Sequence, residues 1–174
     1  TVTPDSNGNW SIDTATATPT SGTLGTFVDG QSYPVTATVT DAAGNTASDT
    51  TTNELVIDTT APVAPAVIGQ TTNDTTPVIS GTALVAPGET LTVTVNGATY
   101  TVTPDSNGNW SIDTGTATPT SGTLGTFVNG QSYPVTATVT DAAGNSATDT
   151  TTNELTIDTT PPATPTVISQ VTND

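Results

Sequence analysis

Apolar residues alternate with threonine along much of the chain, a pattern typical of β-strands that bury one face. In Glu89–Val95, leucine and valine occupy every second position and threonines stand between them. Asn96-Gly97 follows as a two-residue hairpin turn, and Ala98–Thr103 returns with Tyr100 and Val102 on one face. No apolar repeat of helical period occurs in the sequence. The pattern therefore predicts an all-β protein.

The same alternation predicts seven short antiparallel strands within one stretch of the chain, separated by turns rich in Asn, Gly and Pro. A single tryptophan, Trp110, lies on one of these strands and is expected to be buried. Seven such strands around one tryptophan predict an immunoglobulin-like β-sandwich. The predicted strands are Pro77–Thr82, Glu89–Val95, Ala98–Thr103, Trp110–Ile112, Thr123–Val128, Tyr133–Val139 and Ser146–Ile157.

An internal repeat of 100 residues dominates the sequence. Residues 1–74 and 101–174 differ at 11 of 74 positions, so 63 are identical. A repeat of this length matches one small autonomous domain and indicates a tandem array. We expect 1–58 to be the C-terminal part of a first Ig-like repeat, 59–158 a complete repeat, and 159–174 a linker with the start of a third.

Composition narrows the chemistry that the chain can perform. It has 16 Asp and Glu residues, a net charge of −16, and no Lys, Arg, His or Cys. Zinc sites, thiol nucleophiles, disulfides, Schiff bases and nucleic-acid binding are therefore excluded. Carboxylate, amide and hydroxyl oxygens remain, and these are the ligands of hard cations such as Ca²⁺. With few large apolar residues and much self-repulsion, the fold is expected to need such a stabiliser.

Counting strands places the turns at the two ends, or poles, of the sandwich. We expect the N-terminal pole to hold the incoming linker, Asn96-Gly97, the segment after Asp113 and the DAAGN turn. The C-terminal pole is expected to hold Pro87-Gly88, Asp105–Asn109, Asn129-Gly130 and Asp158. Asn73 and Asp74, which belong to the incoming linker, are expected to lie beside Asp141 and Asn145. Oxygen ligands would then concentrate where two repeats join.

Each acidic motif also has a plain structural interpretation. DSNGN (Asp5–Asn9 and its second copy) resembles the start of an EF-hand loop but lacks its later Gly and Glu, and we interpret it as a turn. DAAGN (Asp41–Asn45 and its second copy) is either a calcium ligand or a turn in which the aspartate bonds its own backbone. Glu54 and Glu154 lie within a predicted long strand and are expected to be surface charges. Asp49 and Asp149 are interpreted in the same way, with membership of the calcium cluster as the lesser alternative.

The strings DAAGN, IDTTAP and TTND, with the DSNGNW turn, resemble the bacterial Ig-like repeats of giant secreted surface adhesins. That group includes biofilm-associated proteins and the extender regions of RTX adhesins. The resemblance covers essentially the whole chain and implies an extracellular, type I secreted stalk at the bacterial cell surface, with linkers rigidified by Ca²⁺. The ligands that it implies are Asp58, Asn73, Asp74, Asp141 and Asn145, the first-copy Asp41 and Asn45, and Asp158, Asn173 and Asp174 of the next linker.

The leading functional prediction is a Ca²⁺-rigidified extender that projects a distal binding region of an adhesin. Its expected partners are calcium and neighbouring repeats of the same chain, with no nucleic acid, no membrane insertion and a monomeric state. The alternative is a module that binds ice or glycan through threonine rows such as Thr36-Ala37-Thr38 and Thr92-Val93-Thr94. An enzyme is not expected, because no aromatic groove accompanies the carboxylates.

Overall fold

The computed structural model describes residues 1–173 and divides into two compact units, Thr1–Asp58 and Thr59–Asp174. Every regular element in the described residues is a β-strand, so the expected all-β class is confirmed. No helix in that part of the chain has the length and apolar character needed to cross a membrane. The threonine and valine content explains the preference, because branching at Cβ favours extended backbone.

The first unit contains four short strands in two separate ladders. β1 pairs antiparallel with β4, and β2 pairs antiparallel with β3. Most of its apolar side chains are exposed to solvent, including Trp10 and Val39. The strands are β1 Ser32–Tyr33, β2 Thr38–Thr40, β3 Thr46–Ser48 and β4 Leu55–Val56.

The second unit contains eleven strands in the described residues and holds the buried core. They form a three-stranded sheet β10-β7-β5, a five-stranded sheet β11-β9-β8-β13-β14 and a three-stranded sheet β12-β15-β6. The strands are β5 Ala66–Val67, β6 Gln70–Thr72, β7 Val78–Thr82, β8 Thr90–Val95, β9 Ala98–Val102, β10 Asn109–Asp113, β11 Ser121–Gly122, β12 Ser132–Tyr133, β13 Val135–Thr140, β14 Ser146–Thr148 and β15 Leu155–Ile157.

One buried cluster joins the sheets of the second unit, as expected for an immunoglobulin-like sandwich. Every second residue of β8 and β13 is buried, and β7, β10 and β15 contribute further apolar side chains. Trp110 is buried, as the sequence predicted, and its ring lies against Gly81 of β7. A Cβ at position 81 would stand 2.3 Å from that ring, so only glycine admits it.

The structure differs from the predicted strands in three places. Thr123–Val128 contains no strand, and only the two-residue β11 occurs nearby. Ser146–Ile157 is interrupted by a loop at 149–154 between β14 and β15. Finally, β5 and β6 lie in the predicted linker, because strands of two or three residues are too short to show alternation.

The chain enters the second unit at one pole and leaves it at the other. Ala66 pairs with Thr82, and from there β5 and β6 run toward Thr72. β6 pairs in parallel with β15, the last strand, with Gln70 opposite Leu155 and Thr72 opposite Ile157. Because β6 and β15 point the same way, the N-terminal pole is the end at Ala66 and the C-terminal pole is the end at Ile157.

Candidate functional site

The DAAGN turn of the second unit lies at the N-terminal pole. Thr140, which precedes it, pairs with Thr90 at the start of β8. Asp141 Oδ1 accepts the Asn145 backbone N–H at 2.8 Å, and Oδ2 accepts the Asn145 side-chain N–H at 2.9 Å. The hydrogen bond from the Asn145 side chain contributes most to holding the pKa of Asp141 below its ordinary value. The turn is therefore closed by its own aspartate, while its ligation of calcium stays a prediction.

The first copy of this turn has the same local geometry. Asp41 Oδ1 accepts the backbone N–H groups of Ala43 and Asn45 at 2.9 and 2.8 Å. Asp41 Oδ2 accepts the Asn45 side-chain N–H at 2.8 Å, the largest cause that lowers the pKa of Asp41. Calcium ligation by Asp41 and Asn45 likewise stays a prediction.

The DSNGN segment is a turn, as the sequence indicated. Asp105 Oδ1 accepts the N–H groups of Asn107 and Asn109 at 2.8 and 2.9 Å, which closes an Asx turn. The N–H of Asn109 is the largest cause that lowers the pKa of Asp105. Asp5 makes the equivalent bonds to Asn7 and Asn9, both at 2.8 Å.

Asp74 and Asp158 both lie beside Thr72, at the C-terminal pole. The Asp74 N–H donates to Thr72 Oγ1 at 3.1 Å, and the Asp158 N–H donates to the Thr72 carbonyl at 2.9 Å. Asp74 Oδ1 accepts the Thr76 N–H at 2.8 Å, and Asp158 Oδ1 accepts the Thr160 N–H at 3.0 Å. The adjacent Asn129 Oδ1 accepts the Thr159 N–H at 2.7 Å.

The expectation that Asp74 shares a pole with Asp141 is wrong. Asp74 lies near the end of β6, whereas Asp141 follows the far end of β13. The strands between the two poles have five or six residues, which at roughly 3.3 Å per residue separates the poles by about 20 Å. One ion cannot be held by Asp74 and Asp141 of the same repeat.

Four turns also lie at the pole opposite to the predicted one. Pro87-Gly88 and Asp105–Asn109 belong to the N-terminal pole, because they follow Thr82 and Val102. Asn96-Gly97 and the segment after Asp113 belong to the C-terminal pole. The positions expected for DAAGN, Asn129-Gly130 and Asp158 agree with the structure.

The other predicted ligands lie outside these clusters. Asn73 and Asn173 are exposed, Asp58 ends the first unit, and Asp174 lies outside the described residues. Within residues 1–173, no three carboxylates gather around a point that could hold a metal ion. The calcium-ligand set as a whole therefore stays a prediction.

Sequence reasoning missed Glu154, which was expected to be a surface charge. It is 6% exposed, and its Oε2 accepts the Val135 N–H at 2.9 Å. Nearby, Asp149 Oδ1 accepts the Ala137 N–H at 2.8 Å. A predicted strand of twelve residues was one available signal, since strands of five or six residues are usual and a break was to be expected.

Comparison with known families agrees with this architecture. Residues 68–159 match the family model of the bacterial Ig-like domain, which is more than half of the chain. The chain belongs to the bacterial Ig-like domain family. No curated protein matches it. Bacterial Ig-like domains are typically non-catalytic, and the absence of enzymatic activity in this chain stays a prediction.

Proposed function

We propose that this bacterial Ig-like chain is part of an extender in a secreted surface adhesin, with Ca²⁺ stiffening the linkers between repeats. The carrying observation is the path of the chain through the second unit. β6, near the start of the unit, and β15, its last strand, are parallel neighbours, so the backbone enters at one pole and leaves at the other. Each repeat then adds its full length to a stalk.

The same pairing supports a role under tension. Force applied through the termini pulls β6 and β15 in opposite directions along their common axis. The bonds of that ladder, with Gln70 N–H to the Glu154 carbonyl at 2.6 Å and Asp158 N–H to the Thr72 carbonyl at 2.9 Å, are then loaded together. Leu155 and Ile157 of β15 are buried beneath it, so shearing the ladder also exposes core.

Charge supports the calcium part of the proposal. With 16 carboxylates and no cationic side chain, successive poles carry only negative charge. Repulsion of this kind opposes close approach of domains unless a cation neutralises it. Proline at 62 and 65 makes the linker semi-rigid but leaves the angle between domains free. Extracellular modules bind Ca²⁺ with dissociation constants of about 10⁻⁴–10⁻³ M, which matches the calcium available outside cells.

Small-angle scattering with and without Ca²⁺ tests this proposal. We expect the maximum dimension of the chain to decrease, or its distribution to broaden, when Ca²⁺ is chelated. Asp141→Ala should reproduce part of that change in the presence of Ca²⁺, whereas Thr101→Ala, on an exposed strand position, should not. An unchanged and equally extended particle after chelation would show that the prolines suffice and that calcium is dispensable.

A second candidate function rests on the outer face of the five-stranded sheet. Threonines face one another across its strands: Thr94 against Thr99, Thr92 against Thr101, and Thr138 against Thr148. This uncharged array of hydroxyl and methyl groups favours ice or a neutral glycan over a charged ligand. Several hydroxyls, however, already bond each other, as Thr94 does with Thr99 at 3.0 Å. Thermal hysteresis and glycan binding of the chain, compared with a Thr92→Val variant, distinguish this function from a passive spacer.

A further inference from the structure

The edge of β13 that β14 leaves uncovered is completed by two carboxylates. β14 pairs only with Thr138–Thr140, so the N–H groups of Ala137 and Val135 continue along the same edge without a strand opposite. Asp149 Oδ1 accepts the first at 2.8 Å, and Glu154 Oε2 accepts the second at 2.9 Å. Both acids belong to the loop 149–154, whose sequence DTTTNE is identical in the two repeats.

Glu154 is the unusual member of this pair. The residue is 94% buried, and its second oxygen, Oε1, is enclosed and has no hydrogen-bond partner. A buried carboxylate oxygen without a donor is costly, and such atoms in native proteins normally have a water or an ion beside them. The chain has no Lys, Arg or His to neutralise this charge. Within the protein, nothing but protonation can offset a charge on this oxygen, so a bound cation is the alternative.

In the first copy of the loop, the two carboxylates share a hydroxyl. Thr51 Oγ1 donates to Asp49 Oδ1 at 3.3 Å and also bonds the Glu54 carboxylate. The pKa of Glu54 is lowered chiefly by the Val35 N–H, with the Thr51 hydroxyl adding to the effect. In the second copy, Thr151 Oγ1 donates to Asp149 Oδ2 at 2.9 Å. In the second copy, the loop thus directs the carboxylates of Asp149 and Glu154 to one edge of β13, and the Thr151 hydroxyl bonds the carboxylate of Asp149.

We propose that Asp149, Thr151 and Glu154 bind one Ca²⁺ ion, with Glu154 Oε1 as the buried ligand. The donors are all oxygen, and they come from the irregular loop between β14 and β15. Ca²⁺ accepts six to eight such ligands in flexible geometry, whereas Mg²⁺ demands a near-ideal octahedron. This site goes beyond the proposed extender function, because it lies along the side of one repeat and needs no linker.

Calorimetric titration of the whole chain with CaCl₂ tests the proposal. Glu154→Gln keeps an oxygen for the Val135 N–H but removes the charge, and we expect it to lose about one equivalent of bound Ca²⁺. Asp149→Asn, which also keeps its acceptor, should weaken the same site about tenfold. The control is Glu89→Gln, which removes an equal charge from a glutamate that accepts the Ala86 N–H at 2.8 Å outside the loop. If Glu154→Gln and Glu89→Gln bind the same number of ions with the same affinity, the site does not exist.

Thermal melting gives an independent readout. Without Ca²⁺, Glu154→Gln should melt at or above the temperature of the unchanged chain, because it removes an uncompensated buried charge. With Ca²⁺, the order should reverse, since only the unchanged chain gains from this ion. An equal rise for both chains, or an equal effect of Mg²⁺, would overturn the proposal. Asp141→Ala should leave this reversal intact even if the linkers bind no calcium, so the two proposals fail separately.

Discussion

Residues 1–58 and 101–158 are almost the same sequence in two different environments. They differ at five positions, 15, 29, 46, 48 and 56, none of which is in the buried core of the second unit. Yet Trp10 is 47% exposed and Trp110 is 3% exposed, while Val39 is 74% exposed and Val139 is fully buried. The same alternation of residues therefore produces a core in one place and an open surface in the other.

The difference comes from residues 59–100, which contribute strands to the second unit alone among the described residues. They supply β5 to β8 and most of β9 and, with these strands, Ile79, Leu91, Val93 and Val95 of the core. β13 gains a full partner in β8, whereas its copy β2 pairs only with β3. Burial in this family thus depends on pairing between residues far apart in the chain.

Local interactions, in contrast, are nearly identical in the two copies. The Tyr33 and Tyr133 hydroxyls accept the N–H groups of Val28 and Val128 at 2.9 and 2.8 Å. Phe27 packs edge-to-face on Tyr33 with ring centroids 5.1 Å apart, and the second copy of this pair is separated by 4.9 Å. Contacts within a few residues therefore form with or without partners such as β5 to β8.

The largest expected difference between the copies is at the tryptophans. Trp110→Ala should lower the free energy of unfolding by about 3–5 kcal/mol, because it leaves a cavity between β7 and β10. Trp10→Ala should change it by less than about 0.5 kcal/mol, since this ring is half exposed. Urea unfolding followed by circular dichroism measures both. Equal costs would mean that the first unit has a core of its own.

The next largest expected effect is a loss of stability on substituting Gly81, which packs against the buried Trp110 ring. Gly81→Ala should cost about 1–3 kcal/mol, because its Cβ would stand 2.1 Å from the Ala66 carbonyl oxygen as well as against the indole. Gly25→Ala, where nothing lies within 4 Å of the new Cβ, should be neutral or slightly stabilising. The same unfolding experiment compares them. A harmless Gly81→Ala would disprove the close packing of β5, β7 and Trp110.

The smallest expected difference between the copies is in the DAAGN turns. The pKa values of Asp41 and Asp141 should both lie below the ordinary 3.8. Asn45→Ala and Asn145→Ala should each raise the pKa of the aspartate in the same turn, because each removes the side-chain hydrogen bond that lowers it most. A lowered pKa means that the stabilisation is present above pH 4 and is lost as the pH falls through the lowered value. Carboxyl NMR titration measures each aspartate. A shift confined to Asp141 would show that the turn needs the complete domain.

Much of the candidate chemistry could be predicted from the sequence, but its location could not. The Asx turns at Asp105 and Asp141 follow from residue types a few positions apart, which is local chemistry. The grouping of Asp74 with Asp158 depends on β6, whose pairing with β15 joins residues far apart in the chain. Each strand that the sequence fails to reveal places all later turns at the wrong pole in the prediction.

The predicted position of DAAGN was right because two errors cancelled. The unrecognised run of β5 and β6 displaced the following turns by one pole, which is why Asn96-Gly97 and Asp105–Asn109 were exchanged. The predicted strand at 123–128, which the structure lacks, reversed that displacement before residue 141. When turns are assigned to poles by counting strands, each missed or added strand reverses the assignment of every later turn.

The sequence by itself determined the all-β class, the buried face of each long strand, the turns and the repeat, because alternation, Asn-Gly turns and Asx chemistry act over a few residues. Only the tertiary structure decided which acids share a pole and that Glu154 is buried while its copy Glu54 is exposed. Gly69 and Gln70 lie beside Glu154, and Gln70 donates its N–H to the Glu154 carbonyl at 2.6 Å. These neighbours are some 85 residues away along the chain, and no local pattern encodes a partner at that distance.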